Sequence, residues 1–393
     1  MMVFISVVEA AEPLRHWKSS LDNFMDNYVN QVQGRRVGLI TDVTGIDGAG
    51  RTALMRFLND NRIRLTALFV PDQNFYLDNS PIAYTFPGTE LVTLPLKTLF
   101  NGGEERALRK IDLMIYYRET ADEAEMRGEI QQLLNTAKKE TKSLIILDRP
   151  AADGAGTVDG PRRDDNFPTA GVSVPVPLNS GLTVAEYARM VNGELKLDAP
   201  MSVVPMLNYQ HGTGFSQLNI PYVAPSLAVP TPEAAICRKI TGSLEFLPGI
   251  SIGLDANLPY QLVVSEYADP DRTAAALEEL NLAGIRFLPV RVTPEVGPLA
   301  GKKLGGVRIY VTDTEKVTPS TAGIAIIDCL QSLYPEFCWP ANTVDAESFD
   351  MFWGTESVRK ALQEGESYQT IARAWEAENE RFARKVPLYQ LYQ

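Results

Sequence analysis

The chain has 393 residues, of which 45% are hydrophobic and 22% charged, an ordinary globular composition in a chain long enough for two domains. Its formal net charge of −12 argues against a nucleic-acid-binding protein, because such a surface needs basic patches that displace counterions. Three cysteines without metal-ligand spacing and only two histidines argue against a metal site, so we predict neither a metal nor a cofactor.

No apolar run reaches the length of a membrane helix, so we predict no membrane span. The first residues, MMVFISVVEAA, are apolar but lack a preceding basic segment, which makes them a poor signal peptide. We therefore expect a cytoplasmic protein, with export left open.

The first half of the chain alternates short apolar runs with amphipathic segments. A strand at residues 3–8 and a helix at 14–32 are predicted ahead of this alternation. The alternating elements are predicted strands at 35–41, 65–70, 111–117 and 144–147, and predicted helices at 53–61 and 121–139. Strands that alternate with helices form a mostly parallel sheet covered on both faces, so we predict a doubly wound, Rossmann-like α/β domain.

The second half of the chain differs from the first in composition and in its pattern of predicted elements. Residues 196–270 are rich in Pro and Gly, with a Pro-led helix start at Thr231. Later elements are predicted as helices at 272–282, 321–333, 355–363 and 368–384, and as strands at 285–292 and 307–312. We therefore predict a boundary near residue 200, with a Rossmann-like domain at 1–200 and a smaller α/β domain at 201–393 that completes a cleft.

A carboxylate and a guanidinium follow directly on the strand at 144–147. Asp148 and Arg149 occupy its carboxyl end, where open α/β sheets bind their ligands. Residues 151–182 then form a long loop that must cover something, and Thr183 begins a helix with the spacing of a capping box. We predict a salt bridge between Asp148 and Arg149 that orders this loop and shapes a binding site.

A glycine-rich turn follows the strand at 35–41. Residues 45–52 have the spacing of a phosphate-binding loop, except that Arg51 replaces the usual Lys. Four residues separate the strand from the glycine turn, and the carboxylates of Asp42 and Asp47 would repel phosphate. A turn that lines a pocket is the stronger interpretation, and P-loop-like nucleotide binding is the weaker alternative.

Several motifs together resemble a known bacterial family. LDRP at 147–150, VDGP at 158–161 and GLTVAEYA at 181–188 fit its frame, while VGLITDVTG at 37–45 and LFVPDQN at 68–74 resemble its VGLITNQTG and LFAPEHG. This family, DUF1343, is identified as exo-β-N-acetylmuramidases that act on peptidoglycan fragments. The resemblance covers nearly the whole chain and implies an amino-sugar or cell-wall-derived ligand, and relatives in the family are often exported.

The resemblance also implies where the chemistry would occur. Asp72 stands at the Glu of the PEHG motif and would be the catalytic acid, with Glu119 or a water-mediated partner as the second carboxylate. The alternative for Asp72 is an Asx-type turn residue at the end of a strand. Arg118 would bind the carboxylate of a lactyl group or pair with Glu119. The predicted substrate-binding residues are Asp42, Gln73, Asn74, Arg118, Asp148, Arg149, Asn179, Ser180, Thr183 and Ser226.

Several polar groups of the family pattern are replaced in this chain. Asp72 is one methylene shorter than Glu, Gln73 replaces a His, and Asn179-Ser180 stand where the family has Arg-His. The segment at 242–255 lacks the Arg of the family's GRGT motif. These replacements, on a retained framework, predict weak or absent muramidase activity.

Two functions therefore stay open from the sequence. One is a glycosidase on muramyl or related amino-sugar ends, which needs two carboxyl groups within roughly 10 Å across an open cleft. The other is a catalytically degenerate binding or structural protein, with a protein partner or a second copy of the chain. In that case we expect the cleft to be filled by Tyr116, Leu227 and Leu254.

Overall fold

The computed structural model describes residues 17–71, 75, 91–152, 155–164, 167 and 174–392, without the side chains of residues 101, 102 and 216. The predicted strand at 3–8 lies outside these ranges, as do three predicted site residues, Asp72, Gln73 and Asn74. Within the described ranges the chain forms three β-sheets and eleven α-helices.

The strands belong to a six-stranded, a four-stranded and a two-stranded sheet. Their bounds are β1 Arg36–Ile40, β2 Arg64–Val70, β3 Val92–Pro95, β4 Leu113–Tyr116, β5 Ser143–Leu147, β6 Asp159–Arg162, β7 Pro177–Asn179, β8 Met201–Val204, β9 Ile250–Ser251, β10 Leu262–Ser265, β11 Ile285–Val292 and β12 Leu304–Val311.

The helices follow the predicted periodicity in most places. Their bounds are α1 Ser20–Asn23, α2 Ala53–Leu58, α3 Glu105–Leu108, α4 Glu123–Lys139, α5 Val184–Glu194, α6 Pro232–Thr241, α7 Pro270–Glu279, α8 Pro319–Leu333, α9 Thr343–Trp353, α10 Ser357–Gln363 and α11 Tyr368–Ala383. Shorter turns are a π-helix at Phe24–Tyr28 and 3-10 helices at Val29–Val32, Leu96–Gly102, Phe215–Leu218, Gly242–Phe246 and Val386–Leu388. Among the described helices, none is both long and apolar enough to cross a membrane.

The six-stranded sheet is parallel throughout, in the order β3-β2-β1-β4-β5-β8. Its central strands are buried on both faces, because α2 packs on one face while α4 and α5 pack on the other. This order runs outward from β1 in both directions, which places the topological switch point between β1 and β4. The predicted doubly wound, Rossmann-like fold is therefore confirmed. β8 lies just past the boundary near residue 200, and that boundary stays a prediction.

The second sheet is antiparallel, in the order β11-β12-β10-β9, and packs against α6, α7 and α8. Buried aromatic rings join these elements to the last helices: the Trp353 ring stacks on the Trp375 ring with centroids 6.4 Å apart. The expected second, smaller α/β unit is present, with α9 as a helix that the sequence did not predict.

The predicted loop at 151–182 contains a short antiparallel hairpin, β6 with β7. Gly160 in this hairpin has a φ of +94°, and a Cβ there would lie 2.3 Å from Ser320 Oγ at the start of α8. The hairpin can therefore approach α8 only because residue 160 has no side chain. Thr183 then begins α5 with both hydrogen bonds of the capping box, as predicted.

Candidate active site

A cleft of about 200 Å³ lies at the carboxyl edge of the six-stranded sheet. Its floor comes from the segments that follow β4 and β5, and its walls from the hairpin, α6 and α9. Open α/β sheets bind ligands at this edge, beside the switch point, because neighbouring connections diverge there and leave a crevice. The position of the cleft follows from strand order alone.

Glu119 is the carboxylate on the cleft floor that best fits a chemical role. Its backbone N–H donates to Thr44 Oγ1 at 2.7 Å, which fixes the residue against the segment after β1. Its carboxylate accepts from Arg149 Nε at 3.4 Å, and its side chain is 29% exposed. Burial raises the pKa of Glu119, and the charge of Arg149 opposes that rise. Glu119 is therefore a reachable carboxyl that holds its proton more tightly than usual.

Arg149 is held firmly beside Glu119. Its guanidinium donates to the Thr44 carbonyl at 2.7 Å and lies 5.0 Å from the centre of the Tyr117 ring. The predicted salt bridge between Arg149 and Asp148 is wrong. Successive residues of an extended chain point to opposite sides, so Asp148 meets a different set of partners.

Asp148 is fully buried at the start of α5, outside the cleft lining. It accepts from Thr183 Oγ1 at 2.8 Å, from Ala185 N at 3.0 Å and from Tyr392 Oη at 2.6 Å. Burial, and then the nearby Glu186 carboxylate, raise the pKa of Asp148 to about 6. Asp148 therefore has a structural role at the start of α5, and the hydroxyl of Thr183, which lines the cleft, donates to it. The ligand contacts of these two residues stay a prediction.

Glu186 continues the buried network around Asp148. It accepts from Leu391 N at 2.7 Å and lies 2.9 Å from His211 Nε2. Together with Tyr392, these contacts fasten the last described residues of the chain to the N-terminus of α5.

Arg118 does not pair with Glu119, contrary to one of the two predictions for it. Its guanidinium contacts Asp42 Oδ2 at 2.9 Å, Glu129 Oε1 at 2.6 Å and Glu125 Oε1 at 3.3 Å, and its side chain is 4% exposed. Asp42 is fully buried and also accepts from Thr44. The charges of Arg118 and Asp42 are therefore used inside the protein, and their ligand contacts stay a prediction.

The remaining predicted binding residues divide between the cleft and the surrounding structure. Asn179 lines the cleft, but its amide donates to Ser320 Oγ at 2.9 Å and so joins the hairpin to α8. The hydroxyl of Ser180 donates to Glu123 at 3.2 Å. Ser226 lies in a turn outside the cleft, with its carbonyl accepting from Val229 N, and its ligand role stays a prediction.

The glycine-rich turn at 45–52 folds around a carboxylate of its own. Asp47 Oδ1 accepts from the backbone N–H groups of Ala49 and Arg51, and Asp47 Oδ2 accepts from Arg51 Nε and from the Arg56 guanidinium. The donors that would hold a phosphate are therefore occupied by an internal anion, which argues against nucleotide binding at this turn.

Sequence reasoning missed most of the charge in the cleft. In the part of the chain that the structure describes, the lining has three carboxylates, Glu119, Asp122 and Glu123, and six cationic side chains, Arg118, Arg127, Arg149, Arg163, Arg238 and Lys239. The one signal in the sequence was the Arg238-Lys239 pair at the end of a Pro-led helix. The cleft is thus locally basic in a protein of net charge −12.

The cleft is open rather than filled. Tyr116, expected to block it, lies within β4 with its hydroxyl on Glu129 Oε2 at 3.0 Å. Leu227 and Leu254 are 84% and 39% exposed and do not line the cleft.

Comparison with known proteins identifies relatives over nearly the whole chain. Two family models match: exo-β-N-acetylmuramidase NamZ, N-terminal, over residues 37–233, and exo-β-N-acetylmuramidase NamZ, C-terminal, over residues 239–392. The peptidoglycan β-N-acetylmuramidase NamZ of Bacillus subtilis (strain 168) is 26% identical over 388 residues, covering 95% of this chain and 91% of that protein.

Two crystal structures of DUF1343 family proteins from Bacteroides fragilis NCTC 9343 share the fold. One has a TM-score of 0.87 at 23% identity and the other a TM-score of 0.68 at 21% identity. Each alignment covers 96% of this chain and 99% of the other. With both family models matched in order along one chain, this protein belongs to the exo-β-N-acetylmuramidase NamZ family, DUF1343.

Proposed function

We propose that the protein hydrolyses the glycosidic bond of a terminal N-acetylmuramic acid in a peptidoglycan fragment. The observation that carries this proposal is Glu119, a partly exposed carboxyl with a raised pKa at the switch point of the sheet, in an open basic cleft. The name of the Bacillus subtilis relative, a peptidoglycan β-N-acetylmuramidase, supports the same substrate class.

The second carboxyl is assigned to Asp72, two residues past the end of β2. β2 and β4 flank β1, so two strand spacings, roughly 10 Å, separate their carboxyl ends. The chain returns toward β1 at Phe75, whose carbonyl accepts from Val43 N at 3.1 Å. This layout is compatible with the roughly 5–10 Å between the carboxyl groups of glycosidases.

The two carboxyls would divide the proton transfers. Asp72 gives its proton to the leaving glycosidic oxygen as the bond to C1 breaks. Glu119 takes a proton from the water whose oxygen bonds to C1. A general base works best when its pKa approaches the working pH, so the raised pKa of Glu119 suits this role.

Hydrolysis of 4-nitrophenyl β-N-acetylmuramide tests the proposal. We expect Glu119→Gln and Asp72→Asn each to lower kcat by at least about 100-fold. Glu105→Gln is the matched control, because that carboxylate is 78% exposed on α3, and it should leave turnover unchanged. Full turnover by Glu119→Gln would refute its role as base, and full turnover by Asp72→Asn would refute its role as acid.

A catalytically degenerate binding protein is the second candidate. It is favoured by the replaced polar groups, since the Asn179 amide donates to Ser320 and the Ser180 hydroxyl donates to Glu123 inside the protein. In that case the wild type would bind N-acetylmuramic acid in calorimetry without turning over the glycoside. The predicted protein partner or second copy of the chain would be checked by sedimentation analysis of the purified protein.

A further inference from the structure

The end of α9 contributes an apolar wall to the cleft. Met351 and Phe352, here called the α9 wall, both line the cleft, and Met351 is 52% exposed. Covering an exposed apolar side chain is favourable because it removes apolar surface from water. Ligand sites typically combine such apolar walls with a few polar groups, and here Glu119 and Arg149 on the floor supply polar groups. The α9 wall is therefore available to a ligand that also contacts the floor.

The α9 wall is held in place from behind. Phe349 and Trp353, one helical turn apart, are buried in the core of the second unit, and the Trp353 ring meets the Phe352 ring edge-on with centroids 5.6 Å apart. A Cβ at Gly242 would lie 2.6 Å from Phe352 Cε2, so the Phe352 ring packs directly on the backbone there. Because these contacts already fix the ring, a ligand that packs on it loses little free energy in ordering it.

The C-terminal end of α9 is fixed as well. Asp350 accepts two hydrogen bonds from the Arg359 guanidinium, at 2.8 and 2.6 Å. Gly354 ends the helix with a φ of +72°, and its carbonyl accepts from Asp164 N at 3.0 Å. These contacts join α9 to α10 and to the segment after the hairpin. The fold itself therefore sets the position of the α9 wall.

The size of the cleft decides which part of a ligand reaches the α9 wall. Its volume of about 200 Å³ is below the roughly 300–1,000 Å³ of pockets that enclose a drug-sized ligand, so it encloses little more than one sugar ring. The second ring of a longer fragment must lie where the cleft opens to solvent. Met351 lies there, because it lines the cleft and is half exposed. A sugar ring carries C–H groups on its faces, which suit an apolar wall.

We propose that the α9 wall binds the apolar face of the leaving-group sugar, the ring to which the terminal N-acetylmuramic acid is attached. Met351 is then a specificity-determining residue for fragments of at least two sugars. This inference rests on the proposed function for the ligand class and adds the part of the substrate that the second unit contacts. A flat aromatic ring and an adaptable thioether chain both fit C–H faces.

Calorimetric titration of two ligands tests this assignment. One is N-acetylmuramic acid, and the other is its β-linked disaccharide with N-acetylglucosamine, carrying sulfur in place of the glycosidic oxygen so that it resists hydrolysis. We expect wild type to bind the disaccharide roughly 10-fold more tightly than the monosaccharide. Met351→Gln should lower this preference about 5-fold, because a half-exposed Met gains part of the free energy of full burial.

The chain offers a matched control on the same helix. Val344 is 68% exposed on α9 and stands outside the cleft lining that the described residues form, so Val344→Gln should keep the full preference. Unchanged affinity of Met351→Gln for the monosaccharide shows that this variant is folded.

The outcomes separate this inference from the proposed hydrolysis. A disaccharide preference that depends on Met351, without turnover of the glycoside by wild type, would remove the hydrolytic function and leave the assignment of the α9 wall standing. Equal affinity for the two ligands in wild type, or an unchanged preference in Met351→Gln, would overturn the assignment even if the glycoside is hydrolysed. An equal loss in Val344→Gln would overturn it too. Absence of binding to both ligands would overturn both proposals.

Discussion

The hydroxyl of Tyr392 makes two buried contacts that a phenylalanine would lose. It donates to Asp148 Oδ2 at 2.6 Å and accepts from Met206 N at 3.0 Å, in a residue that is 8% exposed. A hydrogen bond to a charged group contributes roughly 1.5–3 kcal/mol, and a buried amide left without an acceptor costs roughly 1–3 kcal/mol. We therefore expect Tyr392→Phe to lower the free energy of unfolding by about 3 kcal/mol at about pH 8.

The size of this effect depends on pH through Asp148. Its pKa is raised from 3.8 to about 6 in the folded protein, so the folded state binds that proton more tightly than the unfolded state. The stability that the folded protein gains from this tighter proton binding is complete below pH 3.8 and is lost as the pH rises through about 6. The Tyr392 hydroxyl opposes this loss, because it stabilises the ionised carboxylate. At about pH 5 the contact joins mostly neutral groups, so its removal should cost about 1 kcal/mol less than at about pH 8.

Urea unfolding followed by tryptophan fluorescence at both pH values measures these quantities. Tyr389→Phe is the matched control on the same tail, because its hydroxyl donates to Glu194 at 2.9 Å in an exposed position. We expect the control to change stability by less than about 1 kcal/mol. An equal effect of Tyr392→Phe at the two pH values would refute its coupling to Asp148. An effect as small as that of the control would refute the buried contact itself.

Arg118→Met should lower the free energy of unfolding by about 3–5 kcal/mol, because Asp42 and Glu129 would be left buried without this counter-charge. A loss below about 1 kcal/mol in urea titrations would contradict that pairing. Arg149→Met should raise the pKa of Glu119 further, because the Arg149 charge lowers it against burial. The acidic limb of the kcat/KM profile on the muramyl glycoside should then move to higher pH, since Glu119 acts as an ionised base. A limb that stays in place would argue against this role.

The sheet and the edge that carries the cleft could be predicted from the sequence, because both depend on patterns within short segments of the chain. Apolar runs alternating with amphipathic helices require a parallel sheet, and the carboxyl ends of parallel strands lie along one edge. Glu119 and Arg149 were both predicted as site residues at this edge, and the structure brings them into contact, although that contact itself was not predicted. Thr183 was recognised as a helix start because the capping box is read from residues three positions apart.

The wrong predictions concern which side chains pair with each other. Asp148 with Arg149, and Arg118 with Glu119, were paired because they are adjacent in sequence, yet extended backbone directs adjacent side chains to opposite sides. The true partner Tyr392 lies 244 positions from Asp148, a pairing that no local pattern encodes. The hairpin was missed because its strands have only four and three residues.

The fastening of Tyr392 to Asp148 has a consequence for the order of folding during synthesis. The six-stranded sheet emerges from the ribosome ahead of the second unit, and domains generally begin to fold in that order. The start of α5 nevertheless lacks the Tyr392 and Leu391 contacts with Asp148 and Glu186 until the residues near 392 have emerged. For most of translation, the carboxylates of Asp148 and Glu186 in the nascent N-terminal half therefore lack some of their hydrogen-bond donors. Formation of these contacts couples the final folding of the N-terminal half to the emergence of the C-terminal residues from the ribosome.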